Sequence, residues 1–205
     1  MTKHFILAVV VMALVAMPAF ANTSATGTNT VSPTLQVNVT VAKAISLTLS
    51  TGSQCAISPG GAPPDYTMNF GTVDPLGISA GACGAKFSPT TPGSTPAVYY
   101  SDYKLTPTFA SQSTTNNTIT AYVSTDFGAT AAGLLTIVQS NTAPVAIGDL
   151  TPMSKLVGAQ TTVATNAASG AAITRYVGVS VAPMNGAGTL TGADSATMTY
   201  TLTVQ

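Results

Sequence analysis

Chemistry-bearing side chains are scarce in this sequence. His4 is the one histidine, glutamate and tryptophan do not occur, and charged residues make up 6% of the chain. A Ser-His-Asp triad needs an imidazole to take the serine proton. Zinc hydrolases need His or Cys ligands around an open position, and most glycosidases need two neighbouring carboxylates. Only Asp65, Asp74, Asp102, Asp126, Asp149 and Asp194 supply carboxylates, spread along the chain with no D-x-D-x-D calcium loop. These absences predict a protein that is not an enzyme and that uses no cofactor or metal. Lys43, Lys86, Lys104, Lys155 and Arg175 stand singly. Clustered cations of the kind that bind nucleic acid or anionic membranes are therefore lacking.

What is present begins with an export signal. Lys3 and His4 precede an apolar run over residues 5–15, and Ala19 and Ala21 form an A-x-A site. This pattern predicts a signal peptide over residues 1–21, cleaved after Ala21. The alternative is a membrane anchor, but a spanning helix needs about 20 apolar residues and this run is shorter. No later stretch reads as a transmembrane span. Cleavage would leave about 184 residues, which suits one domain. Cys55 and Cys83 are the only cysteines. In an exported chain their default reading is a disulfide, with two free thiols as the alternative.

Residues 22–34 form a Thr/Ser/Asn/Gly tract without periodicity, read as a flexible polar leader. Beyond it the pattern becomes strongly β. Leu35, Val37, Val39, Val41, Ile45, Leu47 and Leu49 all take odd positions, with polar or small residues between them and Lys43 the one breach. One strand of that length would be unusual, so the spacing predicts two, 35–41 and 45–49. Further alternation marks Tyr66/Met68/Phe70, Tyr103/Leu105/Phe109, Ile119/Ala121/Val123, a run at 134–138, Val177/Val179/Val181 and Met198/Tyr200/Leu202/Val204. Pro107 cannot donate to a ladder and predicts an edge or a bulge. Residues 59–64, 88–96, 111–117 and 159–172 read as long loops, and Gly71 and Asp74-Pro75 as a turn. Many short strands with turn-rich connections predict an all-β sandwich over residues 35–205.

Several of these residues resemble a known family. Cys55-Ala56-Ile57-Ser58, the stretch Asn69-Phe70-Gly71-Thr72-Val73-Asp74-Pro75-Leu76, and Cys83 resemble the spore coat protein U family, which includes subunits of archaic chaperone–usher pili. Ala121 to Asp126 and the closing alternation at 196–204 are similar to that family's later strands. The chain departs from the pattern in its polar leader, in residues 50–54 and in the Gly-rich residues 77–84. The resemblance implies an immunoglobulin-like β-sandwich that lacks one strand. A periplasmic chaperone and an outer-membrane usher would hold it until another copy or a related subunit supplies that strand by donor-strand exchange. It further implies a secreted protein, periplasmic in transit and then part of a surface fibre or coat.

The residues themselves offer a donor: Leu35, Val37, Val39 and Val41 make an alternating set behind a flexible leader, as strand addition requires. The alternative is that 35–41 is an ordinary strand of its own domain. A second functional reading is a self-contained secreted β-sandwich binding a carbohydrate or a protein, against which the lack of tryptophan counts modestly.

Overall fold

The computed structural model describes residue 36 and residues 45–61, 63–91, 93–110, 116–128, 133–183 and 193–204. The chain divides into two units, Met1–Val41 and Ala42–Gln205. Of the first, Gln36 is the one described residue, and it is exposed. The sequence-derived signal peptide, leader and candidate donor strand thus lie outside the described residues apart from Gln36.

The second unit is built from antiparallel strands. They are β1 (Ile45–Thr51), β2 (Ile57–Pro59), β3 (Tyr66–Met68), β4 (Ala85–Phe87), β5 (Ala97–Phe109), β6 (Asn117–Thr125), β7 (Leu135–Ser140), β8 (Thr151–Pro152), β9 (Thr161–Thr165), β10 (Ile173–Val181) and β11 (Thr197–Val204). Two single 3-10 turns, Ile147–Asp149 and Val157–Ala159, are the helical elements among the described residues. No helix among them is long and apolar enough to cross a membrane.

Among the described residues, six strands form one sheet in the order β1-β5-β10-β7-β8, with β4 also pairing β5. Three form a second sheet, β11-β6-β9, and β2 and β3 make a hairpin. Period-2 alternation explains which face each strand buries. On β6, Ile119, Ala121 and Val123 are 0–4% exposed, while Thr118, Thr120 and Tyr122 between them are half-buried. Those three residues share a core cluster with Tyr103 and Leu105 of β5, Ile137 of β7, Val163 and Ala164 of β9, and Val177 and Val179 of β10. One core is therefore fed by both larger sheets.

Residues 153–154 link the two sheets. The Met153 N–H donates to the Ile137 carbonyl of β7, and the Ser154 carbonyl accepts from Val123 of β6. The opposite face of the six-stranded sheet carries a smaller cluster of Val98, Val138 and Leu150, beside which Phe87 of β4 stacks on Tyr100 at 5.1 Å.

Two local expectations need correcting. The loop read over 159–172 contains β9, with Val163 fully buried. Pro107 makes neither a bulge nor the rim of a sheet, for it pairs in register with Leu47 of β1 inside the longest strand. The reason it is tolerated lies on its other side. The β10 ladder stops at Ile173 opposite Leu105, and the Pro107 carbonyl accepts instead from the Gly170 N–H at 2.8 Å. A residue's N–H and C=O point to the same side of a strand, so the missing N–H falls where no strand needs it.

Candidate functional site

Two features of this unit stand out: a pair of incompletely covered sheet edges, and a lobe anchored by the disulfide.

Among the described residues, β1 closes one edge of the six-stranded sheet and β11 one edge of the three-stranded sheet. Their inward apolar side chains are less covered than those of the strands they pair with. Leu49 is half-buried beside Leu105, which is fully buried, and Ile45 is 54% exposed beside Phe109 at 8%. Along β11, Met198, Tyr200 and Leu202 are half-buried, whereas their partners Val123, Ala121 and Ile119 are buried. Leu47, Leu49, Met198, Tyr200 and Leu202 all pack against the same core. Beneath them, the Tyr200 hydroxyl donates to the Tyr103 hydroxyl at 3.0 Å. Burial pushes the Tyr103 hydroxyl up to about 12, against the opposing pull of Tyr200 and of the Arg175 charge. Burial likewise holds the Tyr200 hydroxyl far above its ordinary value, although the residue as a whole is half-buried.

The second feature starts at the loop leaving β1. Cys55 and Cys83 are bonded to each other, 28 residues apart with Cα atoms 4.6 Å apart, and both are buried. The loop reaches the bond by folding onto β5. Ser53 N–H donates to the buried Asp102 carboxylate at 2.7 Å, Gln54 N–H donates to it at 3.2 Å, and Cys55 N–H donates to Ser101 Oγ at 3.0 Å. Gly52 permits this approach, because a Cβ there would lie 2.3 Å from the Asp102 carboxyl carbon.

Asn69, Phe70, Gly71, Asp74 and Pro75, the residues of the expected turn, fold into the same lobe. Asn69 Oδ1 accepts from the Gly71 N–H at 2.8 Å, an Asx turn. Gly71 takes φ +68 with Ala82 against it, a left-handed position that favours glycine. Phe70 packs toward the cluster of Ala97, Tyr99 and Val181, as does Val73. Asp74 then collects the N–H groups of Leu76, Ile78 and Ser79 at 2.8, 3.2 and 2.5 Å, and the Tyr99 hydroxyl at 3.0 Å. Burial works against its charge, but the Ser79 and Ile78 N–H groups and the Tyr99 hydroxyl outweigh it and hold the carboxyl well below its ordinary range. Pro75 is half-buried in this turn. The expected turn is thus a carboxylate-centred loop that lids one end of the core.

Three further aspartates also serve structure. Asp149 accepts from the N–H groups of Val145 and Ala146, Asp194 from Gly128 and Ser195, and Asp126 pairs with Lys155. No group of three or more potential metal-ligating side chains lies together among the described residues. Asp102 and Ser101 are the residues that sequence reasoning missed. A strand position read as alternating offers no sign that its carboxylate serves a loop some 49 residues earlier. Leu35, Val37, Val39 and Val41, the candidate donor residues, lie outside the described residues. No family model, no curated protein and no solved structure matches this chain.

Proposed function

We propose that this chain is a structural subunit of a secreted surface fibre or coat, assembled by strand complementation. On this reading the two larger sheets form an incomplete immunoglobulin-like sandwich, β1-β5-β10-β7 over β9-β6-β11, with the missing strand due between β1 and β11. The observation that carries the reading is the incomplete cover of the inward apolar residues on those two edge strands, Leu47, Leu49, Met198, Tyr200 and Leu202. Such edges are templates for another strand. The segment with Leu35, Val37, Val39 and Val41 has the alternation to fill them. Burying four such side chains is worth roughly 6–12 kcal/mol before the cost of ordering the segment. The resemblance to the spore coat protein U family points the same way, with a periplasmic chaperone and an outer-membrane usher as export partners. Aspartates engaged by backbone N–H groups and by Lys155 agree with a role that is not catalytic.

The test is to express the full chain, a chain lacking residues 22–41, and Val39→Lys with candidate export partners, and to measure polymer by sedimentation and electron microscopy. The reading expects fibres from the full chain. It expects a folded, non-donating domain from the deletion, and loss of polymer from Val39→Lys, because an unpaired charge in a dry groove is strongly disfavoured. A full chain that stays a stable monomer without a partner, together with a deletion that unfolds, overturns it.

A further inference from the structure

We propose that the end of the domain carrying Leu76, Ile78, Leu156 and Val157 is a second contact surface, on which the Ile45 end of the next copy of this chain sits. The inference rests on the fibre reading above and adds to its joint a contact outside the groove.

The strand ends define two poles. At the first, Ile45 of β1 pairs with Phe109 of β5. The loop after β9 joins Phe109 to the start of β6 there: Phe109 N–H donates to Ser169 Oγ at 2.9 Å, and Ala167 N–H donates to Asn117 Oδ1 at 2.9 Å. The second pole holds the beginning of β5 and the end of β6. The loop of residues 74–79 is pinned there by the Asp74 carboxylate on the Tyr99 hydroxyl, and Lys86 Nζ donates to the Ile78 and Ser79 carbonyls at 3.2 and 2.7 Å. Lys155 pairs with Asp126, the residue after β6, which sets Leu156 and Val157 beside the same end.

Single exposed apolar side chains are ordinary on a protein surface, whereas a gathering of them marks a contact. Among the described residues six large apolar side chains are exposed, and four belong to these two loops: Leu76 at 43%, Ile78 at 76%, Leu156 at 69% and Val157 at 67%. Of the other two, Val145 lies between β7 and β8, and Ile45 lies at the first pole.

The chain before β1 says what covers the second pole. Residues 42–44 alone separate the candidate donor strand 35–41 from Ile45. The four residue steps from 41 to 45 span at most about 14 Å. A copy whose residues 35–41 fill the gap between β1 and β11 of a neighbour is therefore held with its Ile45 end against one pole of that neighbour. Every strand pair among the described residues is antiparallel. Laid antiparallel to β11, the segment finishes beside Thr197, which pairs with Thr125 at the end of β6. That is the second pole, so Ile45 of the incoming copy meets the exposed apolar side chains. Laid antiparallel to β1 instead, it would finish at the first pole and leave them in water.

Full-length chains carrying Ile45→Cys and Ile78→Cys test the contact, since the native cysteines are already bonded to each other. In assembled fibres a short bis-maleimide should join copies of this variant into ladders on denaturing gels, and Ile45→Cys with Val145→Cys should give none. Ile78→Ser combined with Leu156→Ser should make fibres dissociate about tenfold faster in urea, while Val145→Ser matches wild type. These side chains are exposed, so the unassembled subunit should melt unchanged. A peptide of residues 35–41 should bind the full-length Val39→Lys chain equally with and without the two serines. Fibres that lack the Ile45–Ile78 ladder, or that dissociate at the wild-type rate with both serines, overturn this inference and leave the fibre reading standing. Weaker peptide binding with the serines also overturns it, by placing those residues in the groove. Absence of both fibres and peptide binding overturns the two readings together.

Discussion

Tyr200 of the edge strand β11 donates its hydroxyl to Tyr103 of the central strand β5, at 3.0 Å across the core shared by the two sheets. The rings meet edge to face at 6.1 Å. This contact ties a half-covered edge to a strand that is largely buried. Tyr200→Phe leaves the Tyr103 hydroxyl without its partner and is expected to destabilise the domain by about 1–3 kcal/mol in urea melts.

The same pair predicts an alkaline limit. Tyr99 and Tyr103 are pushed up to about 12, chiefly by burial, and burial also raises Tyr200 well above its ordinary value. The folded chain therefore holds these protons more tightly than the unfolded chain, whose tyrosines ionise near 10. Stability is complete below that value and falls as pH rises from about 10 towards 12. Spectroscopic titration should show these tyrosines ionising only as the protein unfolds.

Asp74 sets the acid limit in the opposite sense. Its folded carboxyl binds a proton less readily than the unfolded chain's, whose ordinary value is 3.8. Its contribution is complete at neutral pH and starts to fall as pH drops through about 4. It is gone once pH passes below the depressed folded value. Asp74→Asn should cost about 1–2 kcal/mol at pH 7, after allowance for partial exposure. The gap from wild type should narrow in denaturation curves recorded at successively lower pH.

The disulfide closes a 28-residue separation that contains both the β2–β3 hairpin and the Asp74 loop. On the chain-entropy model, replacing both cysteines by serine should cost about 3–4 kcal/mol. Limited proteolysis of that variant should cut first within residues 56–82, while the core of β5, β6 and β10 stays protected.

Alternation made much of this fold legible. β1, β6, β10 and β11 each set apolar residues at every second position against a covered face, and hydropathy reads that directly. β9 escaped because its ladder with β6 shifts register between Ile119 and Thr120, leaving Val163 and Ala164 both buried in succession. β4 and β8 are too short to show a period. Pro107 misled because hydrogen bonding is a property of one side of a strand, and sequence does not say which side is occupied. The disulfide was legible from the cysteine count and the export signal expected over residues 1–21, and the Asn69–Pro75 turn from its residues. The clamp of Asp102 on Ser53 was not, since it depends on which loop lands on which strand.

The edges offer the last prediction, a comparison of two residues in one row. Leu202 of β11 pairs in register with Ile119 of β6, and both point into the core. Ile119 is fully buried and Leu202 only half-buried. Removing a buried aliphatic side chain costs the transfer energy of its lost atoms plus the cavity left behind, about 2–5 kcal/mol in all. Ile119→Ala should therefore fall in that range whether the subunit is free or assembled. In the free domain, water already reaches part of Leu202, so Leu202→Ala removes less buried area and should cost about half as much. A strand laid between β1 and β11 would cover Leu202, and its truncation would then cost nearly as much as that of Ile119. Urea unfolding of both variants, alone and after addition of a peptide spanning residues 35–41, measures the difference. A Leu202→Ala cost that rises on adding the peptide, while the Ile119→Ala cost stays constant, places the peptide over this edge. Equal costs for the two variants without peptide would mean that the edge of β11 is already closed, and the fibre reading would lose its main support.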